Sequence, residues 1–449
     1  MNIIARPEEY RLRIAVVGSG ISGLSAAWLL ATRHDVTLFE AATRPGGHSN
    51  TVTVAGKDGV ILVDTGFIVY NEATYPNLMA LFAHLGVPTK PSQMSFAVSL
   101  DAGRLEYAGT DLRALFAQRR NLIRPRFWAM LRDLMRFYRE APGDLPGLGE
   151  VTLGAYLDAR GYGMAMREDH LYPMAAAIWS IPARQVMDYP ATAFIRFCDN
   201  HGLLKVSGRP VWRTVEGGSQ VYVRRLIEGF GGRLRLGTPV RKIRRLPGQV
   251  VVEAYGTRPE SFDHVVLAGH ADQSLAMLED ASADERRLLS CFRYSRNEAV
   301  LHRDNAVMPQ RRRVWSSWNY MSRQGGTGQL SVTYWMNRLQ GIDEATPLFV
   351  TLNPAMALDP QKIISRQIYE HPVFDSSAVA AQRTLWRLQG CRGTWYAGAY
   401  FGAGFHEDGL QAGLAVAEAI GGVRRPWQVA DESGRIHLDA AALGRESAP

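Results

Sequence analysis

Residues 13 to 17 (Arg-Ile-Ala-Val-Val) form an apolar run that stops at Gly18-Ser19-Gly20-Ile21-Ser22-Gly23 and gives way to a helical stretch, Leu24 to Thr32. No other segment restricts the fold as much. A short apolar run bounded by glycine reads as a buried parallel strand, and the next segment as the helix that crosses back over it. Each glycine has its own physical reason: Gly18 makes the tight turn, Gly20 lets backbone approach a pyrophosphate, and Gly23 lets helix and strand pack closely. Unpaired N–H groups at the start of that helix, together with its dipole, favour the negative charge of phosphate. A second strand, Asp35 to Glu40, ends in a carboxylate seventeen residues beyond Gly23, where it can bind ribose hydroxyls. The segment predicts an α/β fold with a Rossmann-type dinucleotide domain, held by Gly18, Gly20, Ile21, Ser22, Gly23 and Glu40.

Composition narrows the class further. With 449 residues, 46% hydrophobic and 21% charged, the chain is expected to form two or three compact domains. Chains of that size bury about three quarters of their unfolded surface, enough to enclose a ligand cavity without covalent staples. Cys198, Cys291 and Cys391 are odd in number and lack CxxC spacing, which argues against a disulfide framework and against a metal site. The polar leader before Arg13 has no signal-like apolar stretch, and no run reaches the ~18 apolar residues of a spanning helix. The expected setting is cytoplasmic, with any membrane contact made peripherally at the inner face. Lys and Arg number 51 against 43 Asp and Glu, a net +8 carried mostly by arginine, whose fork suits phosphate and carboxylate. The densest basic run is Arg113 to Arg139, where Phe127, Leu131, Leu134, Met135 and Tyr138 recur at helical spacing. Two readings stay open there: an amphipathic helix on its own core, or a docking surface for an anionic membrane. No recognition motif accompanies the charge, so no nucleic-acid partner is expected.

After Glu40 the chain reads Ala41-Ala42-Thr43-Arg44-Pro45-Gly46-Gly47-His48, and later Asp64-Thr65-Gly66-Phe67. These segments resemble the E-x3-R-x-G-G and D-x-G motifs of the flavin amine oxidase superfamily. Glu216 to Tyr222 is similar to its E-G-G turn, and Thr238 to Ile243 to its adenine-contacting strand. Trp395 to Tyr400, running on through Phe401 to Gly413 into a helix at Leu414 to Ile420, is similar to its C-terminal flavin motif. The resemblance implies FAD. It also implies Ala41, Arg44, Gly46, Gly47, His48, Thr65, Gly66, Val240, Gly398, Glu407, Gly409, Leu410 and Ala412 as further cofactor contacts. Adjacent glycines let backbone run against a flat ring, and a guanidinium neutralises phosphate. The flavin is expected to be non-covalent, because Cys391 precedes the final strand. The implied architecture is a discontinuous FAD-binding domain from 1–70, 213–284 and 386–449, with an inserted α+β substrate domain from 71–212 and 285–385. Membrane-facing helices would lie near 113–139, and the proline-containing stretch Ala141 to Gly149 reads as a loop.

Outside those motifs, Asp64 to Asn71, Thr74 to Asn77, Leu85 to Val87 and Met94 to Ser99 resemble the oxidase-like domain of plant cyclopropane fatty acid synthases and its bacterial relatives. Ile178-Trp179-Ser180 and Tyr189 to Leu204 extend that resemblance, which covers about residues 12–420. It implies dehydrogenation of a fatty acyl chain, methyl-branched and phospholipid-linked substrates included. It also leaves open a flavin-bound, lipid-presenting partner of a methyltransferase, and the wider superfamily leaves open an amine or amino-acid oxidase. Trp179, Trp212, Trp315, Trp318, Tyr334 and Trp335 are expected near an apolar cleft. As the base that takes a proton, His406 and Glu407 are the leading catalytic candidates, followed by His270, His48, Tyr400 and Tyr334. The lysine that amine oxidases place over flavin N5 has no counterpart in a matching motif among Lys57, Lys90, Lys205, Lys242 and Lys362.

Overall fold

The computed structural model describes residues 11–57, 59–149, 151–179, 183–205, 208–322 and 331–438. Strand β1 (Arg13–Val17) leads through the glycine turn into α1 (Ile21–Leu30) and then β2 (Asp35–Phe39). The chain passes α2 (Pro76–Leu85) and the long α3 (Pro125–Asp144) before returning through α4 (Gln220–Glu228), β3 (Arg233–Arg235) and β4 (His264–Leu267). It closes with β5 (Thr394–Tyr396) and α5 (His406–Ile420). The five strands make one parallel sheet in the order β3-β2-β1-β4-β5, with Ile14 between Val36 and His264. Ile14, Ala15 and Val16 have no exposed surface, as expected of a parallel strand covered on both faces.

Two helices start earlier than their apolar stretches suggest. Helix α1 begins at Ile21, with Gly20 extended as its N-cap. Helix α5 begins at His406 rather than Leu414, so Gly409 and Gly413 lie inside a helix and not in a loop. Each glycine costs a helix about 1 kcal/mol relative to alanine. What they permit is close packing on α1: a Cβ at Gly409 would stand 2.8 Å from Ser22 Oγ, and one at Gly413 would overlap the Ser22 carbonyl.

A second sheet takes strands 363–373, 293–302, 349–352, 331–335, 318–321, 96–100 and 105–108 in that spatial order. Its pairs are antiparallel except 318–321 beside 96–100. Ser331–Trp335 and Phe349–Leu352 are buried throughout. Helix α3 buries Phe127, Met130, Leu134, Phe137 and Ala141, so its inner stripe is rotated from the expected one and Met135 stands exposed. It also runs through Pro142 instead of ending in a loop at Ala141. That proline sits in the last turn, where it forfeits a single helical hydrogen bond. The three cysteines are free thiols. Among the described residues no helix is long and apolar enough to cross a membrane. The leader before Arg11, Ser180 and the side chain of Trp179 lie outside the described residues.

Candidate functional site

The glycine turn stands at the C-terminal edge of the parallel sheet. Gly18 has φ +101°, and a Cβ there would press on the Ala268 carbonyl at 3.0 Å; one at Gly23 would overlap the Gly18 carbonyl. Gly20 differs from both: no protein atom lies within 4 Å of where its Cβ would be. The α-carbon of Gly20 therefore borders open space at the start of α1, which no side chain caps. Uncapped N–H groups beside an open glycine are what a pyrophosphate requires. Glu40 leaves β2 with both oxygens engaged: Oε2 accepts from the Ser19 N–H at 2.8 Å and Ser19 Oγ at 2.5 Å, and Oε1 from the Ala42 N–H at 2.8 Å. It braces the turn from the end of β2. The Thr238 N–H donates to the Glu40 carbonyl and the Gly237 N–H to that of Ala42, which brings half-buried Val240 alongside exposed Ala41.

A second glycine turn closes on the first. Gly46 (φ +107°) and Gly47 (φ +55°) need the left-handed region, and a Cβ on Gly47 would sit 3.2 Å from the Gly20 α-carbon. Arg44 holds this turn, donating to the Gly47 carbonyl at 2.9 Å. The Phe67 N–H donates to the His48 carbonyl, and a Cβ on Gly66 would overlap that same oxygen. Thr65 Oγ1 is hydrogen-bonded to Tyr369 Oη at 2.8 Å.

On the other side stand groups from the seven-stranded sheet. The His48 ring stacks on Tyr369 at 4.9 Å and lies 5.4 Å from His371. Its Nε2 is shut off from solvent and has no hydrogen-bond partner among the described residues, and the hydroxyl of buried Tyr400 is in the same condition. Burial, then the neighbouring His371, holds His48 well below its ordinary pKa. The orientation of His371 is fixed by a chain of donors. The Glu298 N–H donates to Asn353 Oδ1 at 2.9 Å, Asn353 Nδ2 to Asn297 Oδ1 at 2.7 Å, and Asn297 Nδ2 to His371 Nδ1 at 3.0 Å. Because the chain starts on a backbone N–H, neither amide can flip without losing a bond, and His371 must carry its hydrogen on Nε2. Asn353 adopts φ +47°, an uncommon conformation that asparagine tolerates. Burial lowers the pKa of His371 to about 4.

The two leading catalytic candidates are packed into the scaffold, His406 beside the second glycine turn and Glu407 against α2. Glu407 is fully buried and accepts four N–H groups at 2.9–3.0 Å, from the Asn77 backbone and side chain, the Leu78 backbone and Gln411. It caps the start of α2 and clamps it to α5, although burial raises its pKa. With its acceptors saturated inside the protein it is not the base. His406 stacks under Phe67 at 3.8 Å and is bonded to Tyr222 Oη at 2.6 Å, which leaves it packed between side chains with its pKa lowered by burial to about 3. Leu410 and Ala412 are wholly buried inside α5, with backbone as well as side chain enclosed. Gly398 packs against the Tyr400 ring. His270 stacks on Tyr294 at 4.1 Å, with Nδ1 3.4 Å from Glu370. Tyr334 packs against Trp318 at 5.0 Å. Neither of two surface cavities, one of 190 Å³ lined by Ser99, Met308 and Met356 and one of 490 Å³ beside Arg245 and Arg392, touches the glycine turns.

Two glycine turns and an uncapped helix at the C-terminal edge of a parallel sheet define a dinucleotide-binding domain. Residues 21–287 match the family of flavin containing amine oxidoreductases, more than half of the chain, and the protein belongs to that family. Its cofactor is FAD, which Gly20, Glu40, Arg44, Gly47 and the start of α1 are suited to hold. A candidate flavin-containing monoamine oxidase of Mycobacterium tuberculosis, AofH, is 28% identical over 246 residues, 53% of each chain. The chain thus spans about half the length of the curated relatives it matches. Among solved structures, a candidate protoporphyrinogen oxidase from Exiguobacterium sp. superposes with a TM-score of 0.66 at 18% identity, covering 92% of this chain and 99% of that one. A CLA-producing fatty acid isomerase from P. acnes does so at 0.63 and 17% identity, covering 91% and 98%. At such identities they show a shared fold.

Proposed function

We propose that the protein is an oxidoreductase that uses dissociable FAD to remove hydrogen from a fatty acyl chain. The observation that supports this most is the want of an available carboxylate on the wall beside the glycine turns. His48 and His371 are kept neutral by burial, and Tyr369 is engaged by Asn50 and Thr65. A cationic amine would want a carboxylate there, but Asp64 and Glu407 are saturated by internal donors and Glu370 is turned to His270. The fatty acid isomerase named above has the same fold, so this architecture is compatible with an acyl chain.

When bound, FAD supplies the two-electron acceptor for a hydride. Loss of hydrogen from adjacent carbons leaves a double bond, and the second hydrogen departs as a proton. His48 is the group suited to take it, since Nε2 is unpartnered and burial keeps the ring neutral. His371, whose Nδ1 is occupied by Asn297, presents a donor instead. The family and AofH favour a second reading, oxidation of an amine.

One experiment separates the readings. The anaerobic yellow protein is mixed with vesicles carrying unsaturated or mid-chain methylated acyl groups, followed by flavin absorbance and lipid mass spectrometry. Bleaching with loss of two hydrogens from an acyl chain is the expected result, slowed in His48→Asn with the flavin still bound. Bleaching by small amines alone would establish the second reading. No bleaching by either would leave a lipid-presenting partner of a methyltransferase.

A further inference from the structure

The segment from Leu112 to Trp128 comprises a short helix (Leu112–Leu115), a single turn (Arg119–Ile123) and the start of α3. It leaves large apolar side chains in water: Ile123 is 83% exposed, Leu112 73%, Leu122 50% and Trp128 49%. The turn that carries them is braced. The Trp128 indole N–H donates to the Leu122 carbonyl at 2.9 Å, and Phe116 lies 5.6 Å from Trp128 and 5.9 Å from buried Phe127. Arg124 and Arg120 tie the turn to the hairpin of the second sheet, donating to the Arg104 carbonyl at 2.9 Å and the Gly103 carbonyl at 3.1 Å. A rigid apolar tip costs little ordering entropy when something covers it.

The charge around the tip is one-sided. From residue 112 to residue 132 there are six arginines and no acidic residue. Further along α3 the arginines are matched, Arg132 by Asp133 and Arg139 by Glu140. Arg126 pairs with Asp169 and Glu168. Arg113 and Arg119 are exposed and form no ion pair among the described residues. Exposed Leu and Ile, a tryptophan with its polar edge turned inward, and unmatched arginines together fit a surface that is apolar below and anionic at its boundary. Nucleic acid would account for the arginines but not for Ile123 and Leu112.

We propose that Leu112–Trp128 is a docking surface for a bilayer of anionic phospholipid. The proposal rests on the acyl-chain reading above, for which it supplies the route from lipid to protein. The test is sedimentation of the FAD-loaded full chain with vesicles of phosphatidylcholine alone or mixed with phosphatidylglycerol. Binding is expected only with phosphatidylglycerol and is expected to weaken as salt shortens the screening length. Arg113→Gln and Arg119→Gln should each weaken it about fivefold, and Ile123→Ser about tenfold. An unchanged flavin spectrum in each variant reports that the fold is intact. Failure of the wild type to sediment, equal binding to neutral vesicles, or unchanged binding by all three variants would overturn the proposal, as would binding to duplex DNA but not to vesicles. Docking that follows this pattern without any acyl chain being oxidised would sink the acyl-chain reading alone. Oxidation of free fatty acid by a protein that never sediments would sink the docking alone.

Discussion

Around Gly20 and Gly47 the wall of the site is backbone, whereas around Asn297 and His371 it is a relay of side-chain hydrogen bonds spread over two strands and a loop. The first wall works by what is missing: side chains are absent so that phosphate can reach helical N–H groups. The second works by what is fixed: Asn353, Asn297 and His371 each have one orientation that satisfies every donor. A backbone wall tolerates almost no substitution and says only that a dinucleotide binds. A side-chain wall can be rewritten residue by residue, so the choice of substrate belongs there.

That contrast can be broken at Gly20. A Cβ at Gly20 meets nothing within 4 Å beyond its own chain neighbours, so in Gly20→Ala the apoprotein is expected to keep its melting temperature while FAD affinity falls about a hundredfold, roughly 3 kcal/mol. Calorimetric titration with FAD checks it, and near-native affinity would mean that the open space is not the pyrophosphate site. Glu407 sharpens the boundary between wall and scaffold. Glu407→Gln swaps one acceptor for a donor facing N–H groups and should cost about 2 kcal/mol in urea unfolding. Flavin reduction at saturating substrate should stay within twofold, and a collapse of that rate in a folded variant would restore Glu407 as the base.

Acid should weaken both sides next. Buried His302 and His170 belong to the second sheet and its flank, and burial depresses each to a pKa of about 4. Their unfolded pKa is higher, so the unfolded chain binds more protons and stability falls as pH drops below about 6.5, by up to ~1.4 kcal/mol per pH unit for each. Asp64, raised by burial to about 6, acts in the opposite sense: the folded form takes its proton first, so this carboxylate gains as pH falls through 6. Burial lowers His48, His264 and His406 on the glycine-turn side as well, so the urea midpoint of the whole chain should fall from pH 7 to pH 5, and an unchanged midpoint would contradict the pKa shifts. The smallest effect is expected from Asn353→Gly, which keeps the positive φ and removes the donor to Asn297. Stability should change by about 1 kcal/mol. The ¹⁵N resonances of the His371 ring should move from a single Nε2–H tautomer toward a mixture, and an unmoved spectrum would mean that the relay does not orient the ring.

The backbone wall was the legible part of the sequence because each requirement falls on one residue at a fixed offset. Gly18, Gly20 and Gly23 lie within six positions, and Glu40 ends the next strand. Boundaries of α1 and α5 were less legible, since glycine at Gly409 and Gly413 reads as loop until the helix it packs against is known. Asn297 and His371 were missed because they belong to antiparallel strands far apart in the chain, paired through Ser295 opposite His371. No signal in the sequence singles them out, because Arg293–His302 and Ile363–Val373 each carry several other polar residues. His406 and Glu407 were misread for the same reason in reverse: polar residues beside a flavin motif suggested chemistry, but α5 turns Glu407 toward α2 and His406 under Phe67.

The order of strands in the parallel sheet has a consequence for how the protein is made. β4 lies between β1 and β5, and β5 follows β1 by almost four hundred residues along the chain. Until β5 and α5 arrive, β4 has an unpaired edge and α1 lacks the helix that its glycine contacts are shaped for. Such long-range closure is slow and leaves nascent chains prone to aggregation. Flavin capture is thus a late event in synthesis, and a chain interrupted before Thr394 should be colourless and in need of a chaperone, however complete its glycine motif.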